Sequence, residues 1–469
     1  MGSLLRTLGI MLACASIPQA APADDLAEIL NLALDNDPTL RQARALYRAN
    51  REVLVQGRAA LMPSLSTTGT TSRQTSGPSD SIYATITDPQ TGEIRRIRIA
   101  DDMSFQPGLN SHGYFVNLSQ ALFNLPAWYT YQSAKATDRA AAMDFAAQEQ
   151  NLIFRVAIAY FDVLRAIDLL ETNIQEEEAA LTSLEQTRRR EEVGLDTIID
   201  VNDSQAAYDL ARNTTILQRD ILRASYEALE AITGQRHLEV EVLREDFPIL
   251  QVDGSLDEWE AMAGENSLAV AAAKYNLEAS QDTLRARKAD RYPTLTATGS
   301  FSHFVTPTIV RDGVQASGGA FDQTNLGLAL NIPLYSGGAL SSRRRAAEYN
   351  VTAAQESLEL ARRQLTQNIR NAYRRVNTDV LVIAQRQQSI VSAQSALDQT
   401  ELGLEIGQRN IVELLRAREN LYRALRQYAV SRYDYVLDTL ALKQITGVLT
   451  PQDILDLNQW LEAPEQTVQ

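Results

Sequence analysis

The stretch EEVGLDTIIDV (residues 191–201) interrupts a run that otherwise holds no helix-breaking residue, and a close echo, LEIGQRNIVEL, stands at 404–414. Gly194 is the only glycine between Trp128 and Thr233, and no proline occurs between Pro126 and Pro248 or between Pro333 and Pro451. In a helix interior glycine costs about 1 kcal/mol and proline about 3 kcal/mol, so their confinement predicts helices over about 127–192 and 339–405. At about 1.5 Å per residue each would be about 100 Å long. Gly194 and Gly407 end them in the left-handed conformation, and the chain turns back. Thr197-Ile-Ile-Asp200 and Asn410-Ile-Val-Glu413 have the form of capping boxes, in which the N-cap side chain and the acid three residues later satisfy each other's amides. Both stretches read as the turns of helical hairpins.

The two hairpins belong to two copies of one plan. Gly194 to Gly234 and Gly407 to Gly447 both span 40 positions, and Ile198, Ala211, Arg219 and Leu229 recur as Ile411, Ala424, Arg432 and Leu442. Earlier segments match at an offset of 230, where Leu26, Glu28, Asn36 and Pro63 become Leu256, Glu258, Asn266 and Pro293. An internal duplication accounts for this most simply, with repeats at 24–248 and 249–469. Within the first long helix Ile153, Val156, Tyr160, Leu164, Ile167 and Ile174 follow helical spacing and read as a packed stripe. The charge runs at 176–178 (EEE) and 188–190 (RRR) read as solvated faces.

Between the helices the period changes to two. In NLGLALNIPLY, Leu326, Leu328, Leu330 and Ile332 alternate with small or polar residues, and Val116, Leu118 and Leu122 do so in YFVNLSQALF. Each segment has an upstream partner, SLSTTGTTS from Ser64 and TLTATGSFS from Thr294, giving β-hairpins at about 64–124 and 294–335. An apolar face opposite a small polar one over about ten residues is the pattern of a transmembrane barrel strand. A half-buried soluble sheet alternates in the same way, but no amphipathic helix follows closely to cover these strands, and their connections are long and polar. Four strands cannot close a barrel, which needs about eight, and lipid forbids an open edge. Strands that span a membrane here must share a barrel with other copies of the chain.

Composition narrows the function. A formal charge of -15 on 469 residues disfavours nucleic acid. The three histidines lie far apart, and no phosphate loop, nucleophile elbow or metal-ligand spacing appears, so no enzyme and no cofactor or metal is expected. Residues 1–23 read as a cleavable secretory signal: Arg6 precedes the apolar run LGIMLACASI, and Ala21-Pro22-Ala23 offers small residues before the cut. The only cysteine, Cys14, leaves with it unless it is lipidated, and its surroundings fit a lipidation box poorly.

The segments AIAYFDVLRAIDLLE (157–171), VGLDTIIDVNDSQAAYD (193–209), LNIPLYSGG (330–338), VSAQSALDQTELGLEIGQRNIVELLRARENLY (391–422) and ITGVLTPQDILDLNQWL (445–461) resemble the TolC-like outer membrane factors of Gram-negative bacteria. The resemblance covers essentially the whole mature chain. It implies a mostly α fold with a membrane β part. Long α-helical hairpins would form a trimeric α-barrel, and four strands per chain would join a shared twelve-stranded transmembrane β-barrel. Residues around 235–265 and the C-terminal segment would form a small equatorial domain. It further implies an exit duct for drugs or secreted proteins, in the outer membrane with a periplasmic extension. Its expected partners are two further copies of the chain, a periplasmic adaptor, an inner-membrane transporter and outer membrane lipid.

The resemblance also assigns roles at the hairpin tips. Asp200 matches an acid that bonds to the arginine matched by Arg409, constricting the periplasmic entrance, and Glu413 matches an acid of a pore-facing ring. Leu404 stands where a tyrosine helps latch the hairpins, and Arg416 where a second acid is common. Arg416 is therefore expected to pair with Glu413 and partly neutralise the ring. Val193, Gly194, Leu195, Ile406, Gly407 and Gln408 are the expected adaptor contacts. Two alternatives are a periplasmic coiled-coil adaptor and a structural protein of an export system. The first would need an inner-membrane anchor, and the second would have no use for alternating strands.

Overall fold

The computed structural model describes residues 24–76, 82–100, 106–311, 314–316 and 318–463. The signal segment and Cys14 lie outside them. The first half runs α1 (Leu26–Asn36), α2 (Pro38–Ala59), β1 (Ser64–Ser76), β2 (Ile82–Thr87), β3 (Ile94–Ala100) and β4 (Gln106–Phe123). It continues through α3 (Leu125–Glu192), α4 (Ile198–Thr233) and β5 (Val242–Leu243). The second half repeats the order with α5 (Leu256–Asn266), α6 (Leu268–Ala289), β6 (Thr294–Thr306), β7 (Ile309–Arg311), β8 (Val314–Ala316) and β9 (Gly319–Asn331). Then come α7 (Ala339–Glu405), α8 (Ile411–Thr446), α9 (Pro451–Asn458) and β10 (Leu461–Glu462). The repeat extends to length: α3 and α7 have 68 and 67 residues, and α4 and α8 have 36 each.

Two compact units interleave the halves. One takes residues up to 46, 143–271 and from 361 onward; the other takes 47–142 and 272–360. The second unit holds one antiparallel sheet of four strands in the order β1-β4-β6-β9. Its register pairs Leu65 with Leu118, Leu118 with Gly299, and Gly299 with Leu326, so these positions share one face. That face stays uncovered within the chain: Leu65 is 71% exposed and Leu326 84%. The opposite face carries mainly serine, threonine, asparagine and glycine, with Phe115, Phe304 and Phe321 among them. The outer sides of β1 and β9 have no strand partner among the described residues. No described helix is long and apolar enough to cross a membrane.

The connections read as polar loops in the sequence contain two small hairpins, β2–β3 and β7–β8. At the tip of the first, Asp88 Oδ1 accepts the amide of Gln90 at 2.8 Å, and Gly92 takes φ +69°. An aspartate side chain that imitates a backbone turn is a local signal, and the alternation-based reading passed over it.

In the first unit α1, α3, α4 and α8 pack around a core that includes Leu26, Ile29, Leu152, Val156, Tyr160, Phe161, Leu164, Leu229, Tyr433 and Leu440. Each fully buried aliphatic or aromatic side chain contributes about 1.5–3 kcal/mol. The stripe read from Ile153 to Leu164 lies inside this core. Short strands from the two ends of the repeat close it: Leu461 pairs with Leu243 and Glu462 with Val242. The two tyrosine hydroxyls carried inside are satisfied. Tyr160 donates to the carbonyl of Glu241 at 2.7 Å, and Tyr433 to Asp168 Oδ2 at 2.6 Å.

One carboxylate in this unit is poorly placed for charge. Asp379 on α7 faces Asp438 and Asp434 on α8. Arg375 is bonded to Asp438 at 3.2 Å, and Arg165 on α3 is spent on Asp434 and Asp162. Loss of solvent and then the Asp438 charge push the Asp379 carboxyl up to about 7. The folded chain therefore binds this proton more tightly than the unfolded chain does. Its stabilising effect is complete below about pH 4 and is lost as pH rises through about 7. Asp379→Asn, which is neutral at every pH, is expected to match the wild type in thermal midpoint only below about pH 4 and to pull ahead of it progressively between about pH 4 and 7. It should exceed the wild type near pH 8, and parallel slopes would refute the pairing.

Candidate functional site: the hairpin tips

Both long helices end in the same backbone arrangement. At the first turn Gly194 takes φ +77°, its amide donates to Glu191 O at 2.9 Å, and the Leu195 amide reaches Arg190 O at 2.8 Å. At the second Gly407 takes φ +74°, its amide donates to Leu404 O at 3.1 Å, and the Gln408 amide reaches Gly403 O at 2.8 Å. These are paired Schellman closures, in which only glycine adopts the left-handed conformation without cost.

The side chains then diverge. In the first turn the Arg190 guanidinium grips Asp196 with two bonds of 2.8 and 3.1 Å. This clamp shows that the RRR run is more than a solvated face. In the second turn the matching positions are Gly403 and Arg409. The Arg409 side chain lies over Gly403, where an added Cβ would fall 2.5 Å from Arg409 Cγ. Its guanidinium instead meets Glu413 Oε2 at 3.2 Å, an i,i+4 pair.

The capping boxes divide in the same way. Asp200 Oδ2 accepts the Thr197 amide at 2.8 Å and the Thr197 hydroxyl at 2.6 Å, while the Asp200 amide donates to Thr197 Oγ1 at 3.3 Å. The Thr197 hydroxyl, followed by the Thr197 amide, holds the Asp200 carboxyl below the ordinary carboxylate value. The second box is only half made: Asn410 Oδ1 accepts the Glu413 amide at 2.9 Å, but the Glu413 carboxylate goes to Arg409. Thr197→Ala is expected to destabilise the first hairpin by about 1 kcal/mol, read as faster amide exchange in the first turn of α4. Unchanged exchange there would show that the cap is not used.

Within one chain Asp200 and Arg409 are thus each engaged elsewhere and do not meet. The expected Arg416–Glu413 pair does not form, since Glu413 is bonded to Arg409 four residues before it; Arg416 is exposed. Leu404 packs on a small apolar cluster of Leu397, Ile411, Leu414 and Leu421. At the outermost points Val193, Leu195 and Ile406 are 70%, 68% and 60% exposed.

The ties between the two hairpins lie further in and were missed in the sequence. On α8 the half-buried Arg418 donates to the Ala179 carbonyl at 2.7 Å, Tyr422 donates to the Gln175 carbonyl at 3.1 Å, and Arg426 meets Asn173 Oδ1 at 3.1 Å. Arg426 also pairs with Glu176, so one member of the EEE run is structural. The spacing of 418, 422 and 426 sets all three on one face of α8. That polar ladder was visible as a pattern, but nothing marked α3 as its partner.

The family model for outer membrane efflux proteins matches residues 29–235 and 260–448. The chain belongs to the outer membrane efflux protein family. Its place is the outer membrane of a Gram-negative envelope, and its role there is that of an exit duct. It is 32% identical to the outer membrane protein TolC of Vibrio cholerae over 463 residues, covering 98% of this chain and 99% of that one. It is 25% identical to the protease secretion protein PrtF of Dickeya chrysanthemi, over 95% and 92% of the two chains. The fold matches the crystal structure of the outer membrane protein VceC of Vibrio cholerae with a TM-score of 0.72. That alignment has 17% sequence identity and covers 90% of this chain and 96% of that one. The efflux family thus accounts for both the helical hairpins and the four-stranded sheet.

Proposed function

We propose that this efflux protein works as a homotrimer whose sheets share one transmembrane barrel and whose hairpin tips form a gated entrance. The observation that carries the proposal is the four-stranded sheet with an uncovered apolar face and two free edges. Lipid accepts the face but not the edges, and further copies of the same sheet satisfy both. The helices carry matching evidence. Leu210, Leu217 and Ile221 on α4, and Leu381, Val391 and Leu402 on α7, are each more than half exposed. Such stripes need partners that the chain itself does not provide.

At the tips, Arg409 of one copy would bond to Asp200 of the next. Asp200 uses only Oδ2 on its cap, which leaves Oδ1 as an acceptor. Engaging Asp200 would draw Arg409 away from Glu413, so opening and closing would exchange one exposed pair for another. The exposed Val193, Leu195 and Ile406, with Gly194, Gly407 and Gln408, would meet a periplasmic adaptor, itself engaged by an inner-membrane transporter. Membership of the outer membrane efflux family and similarity to a protease secretion protein support efflux and protein secretion alike. Membrane fractionation tests the assembly: heat-modifiable trimers in the outer membrane fraction are expected, and monomers in the soluble fraction would contradict it.

A further inference from the structure

Among the described side chains on the polar face of the sheet, three break the rule. Phe115 on β4, Phe304 on β6 and Phe321 on β9 stand among serine, threonine, asparagine, glutamine, glycine and alanine, and none of the described side chains on that face is charged. The three are neighbours. Phe304 lies directly opposite Phe321 across one ladder and opposite Gly113 across the other, and Phe115 is two residues from Gly113 on the same face. The Phe304 ring leans over Gly113, where a Cβ would fall 2.9 Å from Phe304 Cδ2. Phe115 is 36% exposed and Phe321 59%.

We propose that Phe115, Phe304 and Phe321 form a stacking site inside the duct for planar aromatic solutes in transit. The proposal rests on the reading above that the apolar face meets lipid, which turns the opposite face to the lumen. Only what enters the duct then reaches these rings. Among the described side chains, the surrounding face has no charge with which to select an ion and no long aliphatic side chain with which to bury an aliphatic solute. What it offers is ring faces and edges, and these favour a second flat ring at offset or tilted geometry. With the lumen lined by several copies, the rings recur around it, so a solute leaving one patch meets another.

The test uses single-channel currents of the full-length protein in planar bilayers, with ethidium as the planar aromatic probe and tetrapropylammonium as a non-aromatic cation of equal charge. The acidic chain attracts both probes alike, so a difference between them reports the rings. Ethidium is expected to interrupt the current with longer dwell times than tetrapropylammonium. The triple variant Phe115→Ser, Phe304→Ser, Phe321→Ser should shorten the ethidium dwell about tenfold, as the loss of one to two ring contacts implies, and leave tetrapropylammonium unchanged. Phe321→Leu keeps the apolar bulk without the aromatic face. It should shorten the ethidium dwell in the same direction, and it decides the matter if the triple variant does not assemble. Equal ethidium dwell in wild type and variants, or equal shortening for both probes, overturns the site while leaving the duct intact. A wild-type protein that carries no current would instead remove the lumen reading, and the site with it.

Discussion

Asp37→Ala is expected to destabilise the fold by about 3–5 kcal/mol, the usual result of stripping one partner from a buried ion pair. Asp37 sits between α1 and α2 with its side chain 1% exposed, and Arg155 of α3 reaches Asp37 Oδ2 at 2.7 Å. The same oxygen accepts the Leu40 amide at 2.7 Å, starting α2. Among the described residues the Arg155 guanidinium bonds only to Asp37, and its Nε is shielded and without a hydrogen-bond partner. The substitution therefore leaves a guanidinium partly desolvated beside the core and removes a helix cap worth about 1 kcal/mol. Asp37→Asn keeps the cap acceptor and loses only the charge, so its effect should fall between wild type and alanine. Denaturant titration followed by tryptophan fluorescence measures both. A loss below about 1 kcal/mol for the alanine variant would show that water replaces the carboxylate.

The double substitution Asp200→Ala, Arg409→Ala should raise single-channel conductance by a factor of several, with each single change giving less. A lone exposed ion pair is worth only about 0–1 kcal/mol. Three symmetry-related pairs could therefore bias a closed entrance by about 3 kcal/mol at most. Such a bias holds a gate mostly shut yet leaves it open to a docking partner with modest differential affinity. Thr197→Ala separates the roles of Asp200: it removes the cap hydroxyl while sparing the carboxylate and so should leave conductance near the wild-type value. Conductance of the double variant equal to wild type would remove Asp200 and Arg409 from the gate.

The helical hairpins were legible because their breaks are so sparse. Two glycines with positive φ, each followed by an N-cap residue, fix both turns within a residue or two of where the structure has them. The four strands were legible from period two alone, since one face meets a medium unlike the other. The side-chain partnerships were not. Thr197-Ile-Ile-Asp200 and Asn410-Ile-Val-Glu413 look equivalent as motifs, but only the first closes its box. The competing cation Arg409 lies one turn before Glu413, whereas Asp196 holds the matching place before Asp200. A motif states which groups can bond; it does not say which competitor is nearer. The Arg418–Tyr422–Arg426 ladder escaped notice for a related reason, since two of its acceptors are backbone carbonyls that leave no mark in sequence.

The shared barrel is the point on which the account turns, and the mass of the native assembly tests it most directly. Protein released from the outer membrane in mild detergent and measured by native mass spectrometry is predicted to carry the mass of three mature chains, falling to one only on heating. A stable unheated species with the mass of a single chain would contradict the account, because four strands with two free edges cannot line a pore in lipid alone.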